Sequence, residues 1–389
     1  MTNSISSEEW IKELIAVDTI SHNSNLPLIQ HVSDRLAELG VSSKIRPNAA
    51  GDKANLIATI PAATGSTIGG LVFSGHTDVV PVEGQSWTSD PFVASVRDGR
   101  IYGRGTADMK GFIGVALSMV PHILQSRLRV PIHFALSYDE EVGLHGGAQM
   151  LDDFRDLGLT PEFCVVGEPT GMRVIGAHKS FNLLTIEVRG HDGHSSLAPN
   201  LVSAAYYGAQ MVGFIQDLAE EFQLKGPFDD AYDVPSSTIS VNQIYGGSSS
   251  NTVPLECHIR VDFRTIMEVD PQVILSRICE RARHIEAAMQ AQYPTAGIEV
   301  SALALAPGLE AAPDSTLVAM LTRAGAIAEG DKVSYGTEAG FFHSAGIDTV
   351  VCGPGNITQA HIADEYVSLD QIRECERVLR ELIDSLSEA

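Results

Sequence analysis

The sequence predicts an α/β protein with two units, in which a mixed, largely parallel sheet covered by helices is interrupted by a smaller α+β unit. Strands and helices alternate as far as Glu168, which is the pattern of a largely parallel sheet. The pattern changes after Lys179 and returns to a helix near residue 314. The chain has 389 residues, of which 44% are apolar, and this length favours two domains over a single core.

The first part of the chain has the periodicity of amphipathic helices and buried strands. Ser7, followed by Glu8 and Glu9, has the composition of a helix start, because acidic residues stabilise the first turn. Pro121 is expected to end or kink the third helix. The predicted elements are helices at 7–16 and 27–39, strands at 55–60 and 71–75, and a buried helix from Met109 to about Val120.

The middle of the chain has the order βαββαβ, which is typical of the ferredoxin-like split unit. We therefore expect a domain inserted at 179–292, between a first part at 1–178 and a second part at 293–389 of the larger domain. A helix at 314–328, a further strand and a C-terminal helix from about Leu369 should follow. The predicted elements of the middle segment are strands at 181–189, 238–244, 255–263 and 297–303, and helices at 201–222 and 271–290.

Charge and cysteine content narrow the class of protein. A formal net charge of −23 argues against nucleic acid and anionic membranes as partners, because these need clustered Lys and Arg. The five cysteines are scattered without a CxxC pair, which is typical of reduced, buried thiols. No apolar stretch is long enough to span a bilayer, and residues 1–10 lack a secretory signal pattern, so we expect a cytoplasmic protein.

Several apolar segments end in side chains that can bind a metal ion. Buried carboxylates are unfavourable unless metals or protons neutralise them, and active sites of α/β sheets collect at the carboxyl ends of strands. We therefore expect one polynuclear metal site, which His361 would complete. The side chains are His76 and Asp78 after strand 71–75, Asp108 in the glycine-rich segment 103–111, Asp139, Glu140 and Glu141 after the apolar segment 132–138, and Glu168 after 165–167.

Each of these segments alone has a simpler interpretation. A single acid at a strand end is usually solvated, and two adjacent acids are more often a surface pair than a ligand and a base. Asp108 in a glycine-rich turn can bond its own backbone, and His76 alone is more often a hydrogen-bonded core residue. Nucleotide binding by segment 103–111 is disfavoured, because it lacks the third glycine and the Lys-Ser/Thr pair of phosphate loops. The joint occurrence favours the metal site.

Five segments carry a resemblance to a known family: 75–78 (GHTD), 103–111 (GRGTADMKG), 139–143 (DEEVG), 167–170 (GEPT) and 359–361 (QAH). In kind and order they resemble the motifs of the dinuclear zinc deacylase and exopeptidase family. Segments 177–179, 193–196, 336–339 and 353–355 resemble its acetylornithine deacetylase branch. The resemblance implies a zinc-exopeptidase-like catalytic domain built from both chain ends, and an inserted lid through which a homodimer forms.

The resemblance also implies a cofactor and its ligands, namely two Zn²⁺ per subunit, with Co²⁺ as a substitute. One zinc would be held by His76 and Glu168 and the other by Glu141 and His361, with Asp108 bridging, and these are ordinary zinc ligands. Asp78 would hydrogen-bond His76 and fix its tautomer, as second-shell acids do. A cis peptide bond after Asp108 is implied as well.

Glu140 is the acid that this assignment leaves without a metal. Neighbouring side chains of a strand point in opposite directions, but at a strand end the chain turns, and Glu140 and Glu141 can then face one cleft. We expect Glu140 to take a proton from the attacking water and pass it to the leaving amine. His194, in the inserted domain, would donate to the developing oxyanion from the partner subunit, and its simpler interpretation is a surface loop histidine.

Asn251 and Arg264 match positions near the substrate in this family, and Glu338 lies where the returning chain should approach the metal cleft. Arg264 could clamp a carboxylate, or form a sheet-edge salt bridge. Glu338 could pair with a substrate ammonium, or cap the helix that follows it. The implied reaction is hydrolysis of an N-acyl amino acid, N-acetylornithine to ornithine and acetate in arginine biosynthesis. The alternatives are succinyl-diaminopimelate desuccinylation, dipeptide cleavage, and a non-catalytic metal-binding scaffold.

Overall fold

A computed structural model describes residues 5–328 and 332–388, which form two compact units. The first unit contains the described residues up to Ala177, those from Leu309 to Lys332, and those from Thr337 onward. The second unit contains His178–Gly308 and Val333–Gly336. The predicted end of the insertion at residue 292 is therefore too early, because the strand that follows it pairs inside the second unit.

The helices and strands of the described residues are numbered here in chain order. The helices are α1 (Ser7–Ile15), α2 (Leu26–Glu38), α3 (Lys110–Ser118), α4 (Val120–Gln125), α5 (His145–Asp156), α6 (Ala204–Lys225), α7 (Pro271–Gln290), α8 (Thr316–Arg323), α9 (Ala339–Ser344) and α10 (Leu369–Ser385). The strands are β1 (Ser43–Pro47), β2 (Ala54–Ile60), β3 (Leu71–His76), β4 (Ser95–Arg97), β5 (Arg100–Tyr102), β6 (Ile132–Ser137), β7 (Phe163–Val166), β8 (Arg173–Val174), β9 (Ala177–His178), β10 (Phe181–Arg189), β11 (Gly193–His194), β12 (Thr238–Gly246), β13 (Thr252–Val253), β14 (Glu256–Arg264), β15 (Gly297–Ala306), β16 (Leu309–Glu310), β17 (Ile327–Ala328), β18 (Lys332–Val333), β19 (Asp348–Val351) and β20 (Tyr366–Ser368).

The first unit is built on a six-stranded sheet in the order β1-β2-β6-β3-β7-β19. Strands β6, β3, β7 and β19 are mutually parallel, whereas β2 runs antiparallel to its neighbours β1 and β6. Both faces of β3 and β6 are buried, which explains their continuous apolar sequences. The predicted mixed, largely parallel sheet is confirmed, and the carboxyl ends of its four parallel strands lie along one edge.

Helices α1, α3 and α10 pack together against this sheet. Trp10, Ile11 and Leu14 of α1 are fully buried, and each contributes roughly 1.5–3 kcal/mol by leaving water. The helix begins at Ser7 as predicted, with Glu8 and Glu9 in its first turn, and Ser6 before it is the N-cap, which forms a reciprocal capping box with Glu9. Pro121 divides the predicted long helix into α3 and α4, as expected.

The second unit has the predicted βαββαβ order, and its antiparallel sheet has the order β12-β14-β10-β15. Burial alternates along β10 and β14, because one face of the sheet packs on α6 and α7. Strand β15 continues to Ala306 and pairs with β10 along its whole length. The ferredoxin-like topology is therefore confirmed, with β12 at one edge of the sheet.

Two smaller findings complete the fold. The helix predicted at 314–328 ends at Arg323, because Gly325 has φ +96° and ends the helix in a left-handed conformation. Among the described helices, none combines the length and apolar character that a bilayer span requires.

Candidate metal centre

The parallel strands of the first unit bring together all five residues that the resemblance proposed as metal ligands. They form two groups, His76–Asp108–Glu168 and Asp108–Glu141–His361, and within each group the ligand atoms lie within 4.8 Å of one another. His76 is the last residue of β3, and Glu141 and Glu168 lie in the segments that follow β6 and β7. The ends of these three strands lie side by side. Asp108 is the member that the two groups share.

The first group is buried at the centre of the sheet. Nε2 of His76 lies 2.9 Å from Oδ1 of Asp108 and 3.6 Å from Oε1 of Glu168. The imidazole is fixed from behind, because its Nδ1 lies 2.9 Å from the backbone carbonyl of Asp78. Since a carbonyl only accepts, Nδ1 carries the hydrogen and Nε2 faces the carboxylates.

The second group is more open to solvent. Nε2 of His361 lies 3.0 Å from Oε1 of Glu141 and 3.2 Å from Oδ2 of Asp108. The His361 side chain is 49% exposed, against 1% for His76. His361 has φ +62°, a left-handed conformation that is uncommon outside glycine, and its carbonyl accepts a hydrogen bond from Gln85.

These contacts shift the pKa values of the clustered groups. Burial is the largest single effect and disfavours a charged His76, but the hydrogen bond to Asp108 and the charges of Glu168, Asp108 and Glu140 together raise the pKa of His76 well above its ordinary value. Hydrogen bonds to Asp108 and Glu141 raise the pKa of His361 to about 10. Burial raises the pKa of Glu168 well above its ordinary value. Protons therefore occupy the space between imidazoles and carboxylates, where a cation would replace them.

The donor set fits two divalent metal ions. Each group combines an imidazole nitrogen with carboxylate oxygens, which are normal zinc ligands, and the two oxygens of Asp108 face different groups. Oε1 of Glu168 is buried and accepts no hydrogen bond, an unfavourable state that a cation would relieve. His76 and Glu168 would thus hold one ion, and Glu141 and His361 the other, with Asp108 between them.

Asp78 has a different role from the one predicted. Its Oδ1 lies 3.6 Å from His76 Nδ1, too far for a good hydrogen bond, and the backbone carbonyl of Asp78 fixes the imidazole instead. The carboxylate accepts hydrogen bonds from the backbone N–H groups of Glu140 and Glu141 at 3.0 and 3.3 Å, and from the Ser21 hydroxyl at 2.7 Å. Asp78 therefore positions the turn that bears both glutamates.

The turn after β6 explains how two adjacent glutamates can serve one site. Asp139 has φ +53°, and the carbonyl of Glu140 accepts hydrogen bonds from the backbone N–H groups of Gly143 and Leu144. The chain thus leaves the strand geometry before Glu140, and the two side chains need not point in opposite directions. Glu141 joins the second group, whereas Glu140 belongs to neither. Burial raises the pKa of Glu140 well above its ordinary value, which suits a group that accepts and returns a proton.

Sequence reasoning missed the residues that hold the ligand loops. Arg104 and Glu365 form a buried ion pair, and Gln85 hydrogen-bonds both Arg104 and the backbone of His361. Arg104 lies inside segment 103–111, which resembles the family, yet neither Arg104 nor Glu365 was predicted to have a role. The signal that could have revealed this role was Arg104 itself, a charged residue inside a metal-ligand motif for which no ion-pair partner had been proposed.

Glu338 is not where a substrate contact was expected. It is fully buried, and its two oxygens accept hydrogen bonds from Ser74 of β3 and Ser137 of β6, at 2.7 and 2.6 Å. Neither oxygen is open to a substrate ammonium. Glu338 does occupy the N-cap position of α9, but its side chain makes no cap hydrogen bond, and the Thr337 hydroxyl accepts the hydrogen bond of the Ala339 N–H instead. Glu338 links the two strands that precede the ligands.

The other predicted residues lie in the second unit. His194 is exposed, and its Nδ1 accepts a hydrogen bond from the backbone N–H of Ser196, so Nε2 carries the hydrogen of the neutral ring. Asn251 lies beside it, because its carbonyl accepts a hydrogen bond from Ser195. Arg264 instead pairs bidentately with Asp262 at 3.0 and 3.1 Å, so the salt-bridge interpretation describes its contacts.

The Asp108–Met109 peptide bond is cis, as the resemblance implied. The family model described as Peptidase family M20/M25/M40 matches residues 72–385. Two proteins named acetylornithine deacetylase are similar over nearly their full length. The one from Myxococcus xanthus is 33% identical over 95% of this chain and 94% of its own, and the one from Shigella sonnei (strain Ss046) is 30% identical over 96% of both.

The fold is also similar to a solved structure, the M20 family metallo-carboxypeptidase Sso-CP2 from Sulfolobus solfataricus. The TM-score is 0.77 at 18% identity, over 98% of this chain and 99% of that one. At this identity the likeness concerns the fold, whereas the family model and the relatives concern the sequence itself. The chain belongs to Peptidase family M20/M25/M40, a family of amidohydrolases and peptidases.

Proposed function

We propose that this protein is a dinuclear zinc amidohydrolase that removes the acetyl group from N-acetylornithine, giving ornithine and acetate, a step of arginine biosynthesis. The observation that carries the proposal is the sharing of Asp108 by two ligand groups, with Glu140 beside them and bound to neither. The two relatives named acetylornithine deacetylase support the choice of substrate. The substrate contact predicted for Glu338 no longer supports it.

Bound zinc ions would polarise the scissile carbonyl and lower the pKa of water. Glu140 then takes a proton from the attacking water and delivers it to the leaving nitrogen, so that an amide and water become a carboxylate and an amine. The hydrogen bonds from the Glu140 and Glu141 backbone to Asp78 hold the turn during both transfers.

The proposal includes a homodimer in which His194 of one protomer serves the site of its partner. Nε2–H of His194 is a free donor of the kind that a developing oxyanion requires. Ile244 and Tyr245 on the edge strand β12 are 54% and 55% exposed, and Tyr206 of α6 is 75% exposed. Exposed apolar side chains at an unpaired strand edge favour an interface between chains.

A panel of acyl substrates tests the activity. The full chain, loaded with zinc or cobalt, is assayed on N-acetylornithine, N-acetylmethionine, N-succinyl-diaminopimelate and a dipeptide, with the Glu140→Ala protein as the control for contaminating hydrolases. We expect the highest kcat/KM on N-acetylornithine, loss of activity on chelation, and recovery with zinc. A preference for the succinyl compound or the dipeptide would assign a different substrate within the family, and no hydrolysis at all would favour a metal-binding scaffold.

Complementation tests the dimer. The proteins His194→Ala and Glu140→Ala are each inactive under the proposal, but a mixed dimer contains one site with both residues intact. Mixing them should therefore restore part of the activity, while light scattering should report twice the 41.6 kDa chain mass. Proven subunit exchange without any recovered activity would contradict action across the interface.

A further inference from the structure

The buried ion pair between Arg104 and Glu365 lies behind two of the three ligands of the second group, and it hydrogen-bonds the backbone at Asp108 and next to His361. Nη1 of Arg104 lies 2.6 Å from Oε2 of Glu365, and both side chains are 1% exposed. Such a pair is costly to desolvate, and it adds no contact to the core that an apolar pair could not supply. The role of the pair must therefore be inferred from the other hydrogen bonds that Arg104 and Glu365 make.

The Glu365 end of the pair holds the bridging ligand. Oε1 of Glu365 accepts hydrogen bonds from the backbone N–H groups of Ala107 and Asp108, at 2.9 and 3.1 Å. The carbonyl of Glu365 accepts a further one from Gly103, which continues the pairing of β5 with β20. The peptide that bears the Asp108 carboxylate is thus fixed to β20 through a charged acceptor, the stronger kind of hydrogen bond.

The Arg104 end of the pair holds the loop of the exposed histidine. Its Nη1 donates to the carbonyl of Ile362 at 3.3 Å, the residue after His361. Its Nη2 donates to Oε1 of Gln85, whose amide nitrogen donates to the carbonyl of His361 at 2.9 Å. One guanidinium therefore holds the Ile362 backbone directly and the His361 backbone through Gln85.

The buried histidine has an independent support. His76 terminates β3 inside the sheet and is fixed by the carbonyl of Asp78, and none of its hydrogen bonds involves Arg104 or Glu365. Glu168 follows β7, which pairs with β3 and β19 on either side. The two ligand groups thus depend on different parts of the fold, except for Asp108.

We infer that Arg104 and Glu365 are positioning residues for one metal position, the one formed by Asp108, Glu141 and His361. They set the separation of the bridging carboxylate and the exposed imidazole, and so determine the affinity of that position without touching the metal. This inference rests on the two-metal site of the proposed function, but it concerns metal affinity and is independent of the substrate.

Zinc release from the loaded full chain tests this inference. Glu365→Gln keeps an oxygen that can accept the Asp108 N–H, but leaves the Arg104 cation without its counter-charge. In competition with a chelator, we expect one of the two zinc ions to be bound about 10–100-fold more weakly than in the unaltered protein, while the other keeps its affinity. This is the usual range for substitution of residues behind metal ligands. Equal weakening of both ions, or no weakening, would overturn the inference.

Two further variants separate positioning from general stability. Asp153→Asn weakens another ion pair of the first unit, between the buried Asp153 and the partly exposed Arg46 at 2.9 Å, and should lower Tm without changing either zinc affinity. The double variant Arg104→Met/Glu365→Gln removes the unpaired buried charge and should recover Tm, but it should retain one weak zinc position, because the bonds to Ile362 and Gln85 are missing. Recovery of the zinc affinity together with Tm would show that the pair is only structural.

The unaltered protein separates this inference from the proposed function. If it binds two zinc ions but hydrolyses no member of the acyl panel, the proposed function fails, and the release experiment still decides the inference. If it hydrolyses N-acetylornithine and Glu365→Gln releases both ions as before, the inference alone fails.

Discussion

The two ligand groups share Asp108, yet the fold holds them in different ways. His76 and Glu168 follow β3 and β7 at the centre of the sheet, where neighbouring strands fix the backbone on both sides. Glu141 and His361 lie in turns, and the His361 backbone is left-handed with its side chain about half exposed. Apart from the shared Asp108, whose backbone is held by Glu365, the ligands held by side chains are the two that lie in turns. Asp78 accepts a hydrogen bond from the backbone of Glu141, and Arg104 and Gln85 hold the backbone of the His361 loop.

The difference shows that one metal site can take some of its ligands from a rigid sheet and others from loops. Backbone pairing of the strands positions His76 and Glu168, so among the first group it is the shared Asp108 whose backbone is held by another side chain, that of Glu365. Turns supply ligands that can face a substrate, but each turn then needs hydrogen bonds from elsewhere to keep its geometry. Variants at the supports should therefore affect the two groups unequally.

The largest expected effect is at Glu140, which belongs to neither group. Glu140→Gln should lower kcat by about 10²–10⁴-fold, the usual contribution of a general acid and base, while both zinc ions stay bound. Steady-state kinetics together with zinc analysis measure both quantities. Asp139→Asn is the matched control, since this acid of the same turn bonds Lys53 and should change kcat far less. Loss of one zinc ion from the Glu140→Gln protein would show that Glu140 is a metal ligand, and would contradict its separation from the two ligand groups.

A smaller effect is expected at Asp78, which supports the turn of Glu140 and Glu141. Asp78→Asn retains one acceptor oxygen, so one of the two backbone N–H groups loses its partner, and kcat should fall about 10–100-fold. Zinc held by His76 should keep its affinity, because a backbone carbonyl fixes that imidazole. A weakened zinc at His76 with an unchanged kcat would restore the original prediction, in which the Asp78 carboxylate fixes the tautomer.

Metal removal should make stability depend on pH. In the zinc-free protein the pKa of His361 is raised to about 10 and that of Glu168 is raised by burial, so the folded state binds more protons than the unfolded state. The stability of the zinc-free protein should then fall as pH rises from about 6 to 10, because these protons are lost. Zinc displaces them, so the difference in Tm between zinc-loaded and zinc-free protein should widen with pH. A difference that is constant over this range would contradict the clustered geometry.

The smallest effect on catalysis is expected at Glu338, behind both groups. Glu338→Gln leaves a buried amide against the Ser74 and Ser137 hydroxyls, and should lower stability by about 1–3 kcal/mol. The ratio of kcat/KM for N-acetylornithine to that for N-acetylmethionine should stay the same, because Glu338 is closed to the substrate. Ser74→Ala provides the control, as it removes one of the same hydrogen bonds. A change in the ratio above tenfold would return Glu338 to the recognition site.

The sequence predicted the ligands better than their supports, and the reason is physical. Ligands such as His76 and Glu168 end apolar strands, and a polar residue after a buried run is visible in the sequence. Arg104 and Glu365 are 261 positions apart in the chain, and several of their hydrogen bonds go to backbone atoms, which leave no trace in residue types. The prediction for Asp78 missed a backbone contact in the same way, because the backbone carbonyl of Asp78, and not its carboxylate, accepts the hydrogen bond of the His76 imidazole.

The elements of the second unit were predictable for a related reason. Alternation along β10 and β14 follows from one buried face, so periodicity alone gives the strands and their order. The boundary at residue 292 was wrong, because the pairing of β15 with β10 is a long-range contact. Glu338 was misplaced likewise, since burial between two strands depends on how the returning chain packs.

The most direct test of the central claim is the structure of the zinc-loaded protein, with zinc located by anomalous scattering. The account predicts two zinc ions per chain, one contacting His76, Asp108 and Glu168 and the other contacting Asp108, Glu141 and His361, with the Glu140 carboxylate bound to neither. A single zinc ion, or a zinc ion coordinated by Glu140, would contradict it.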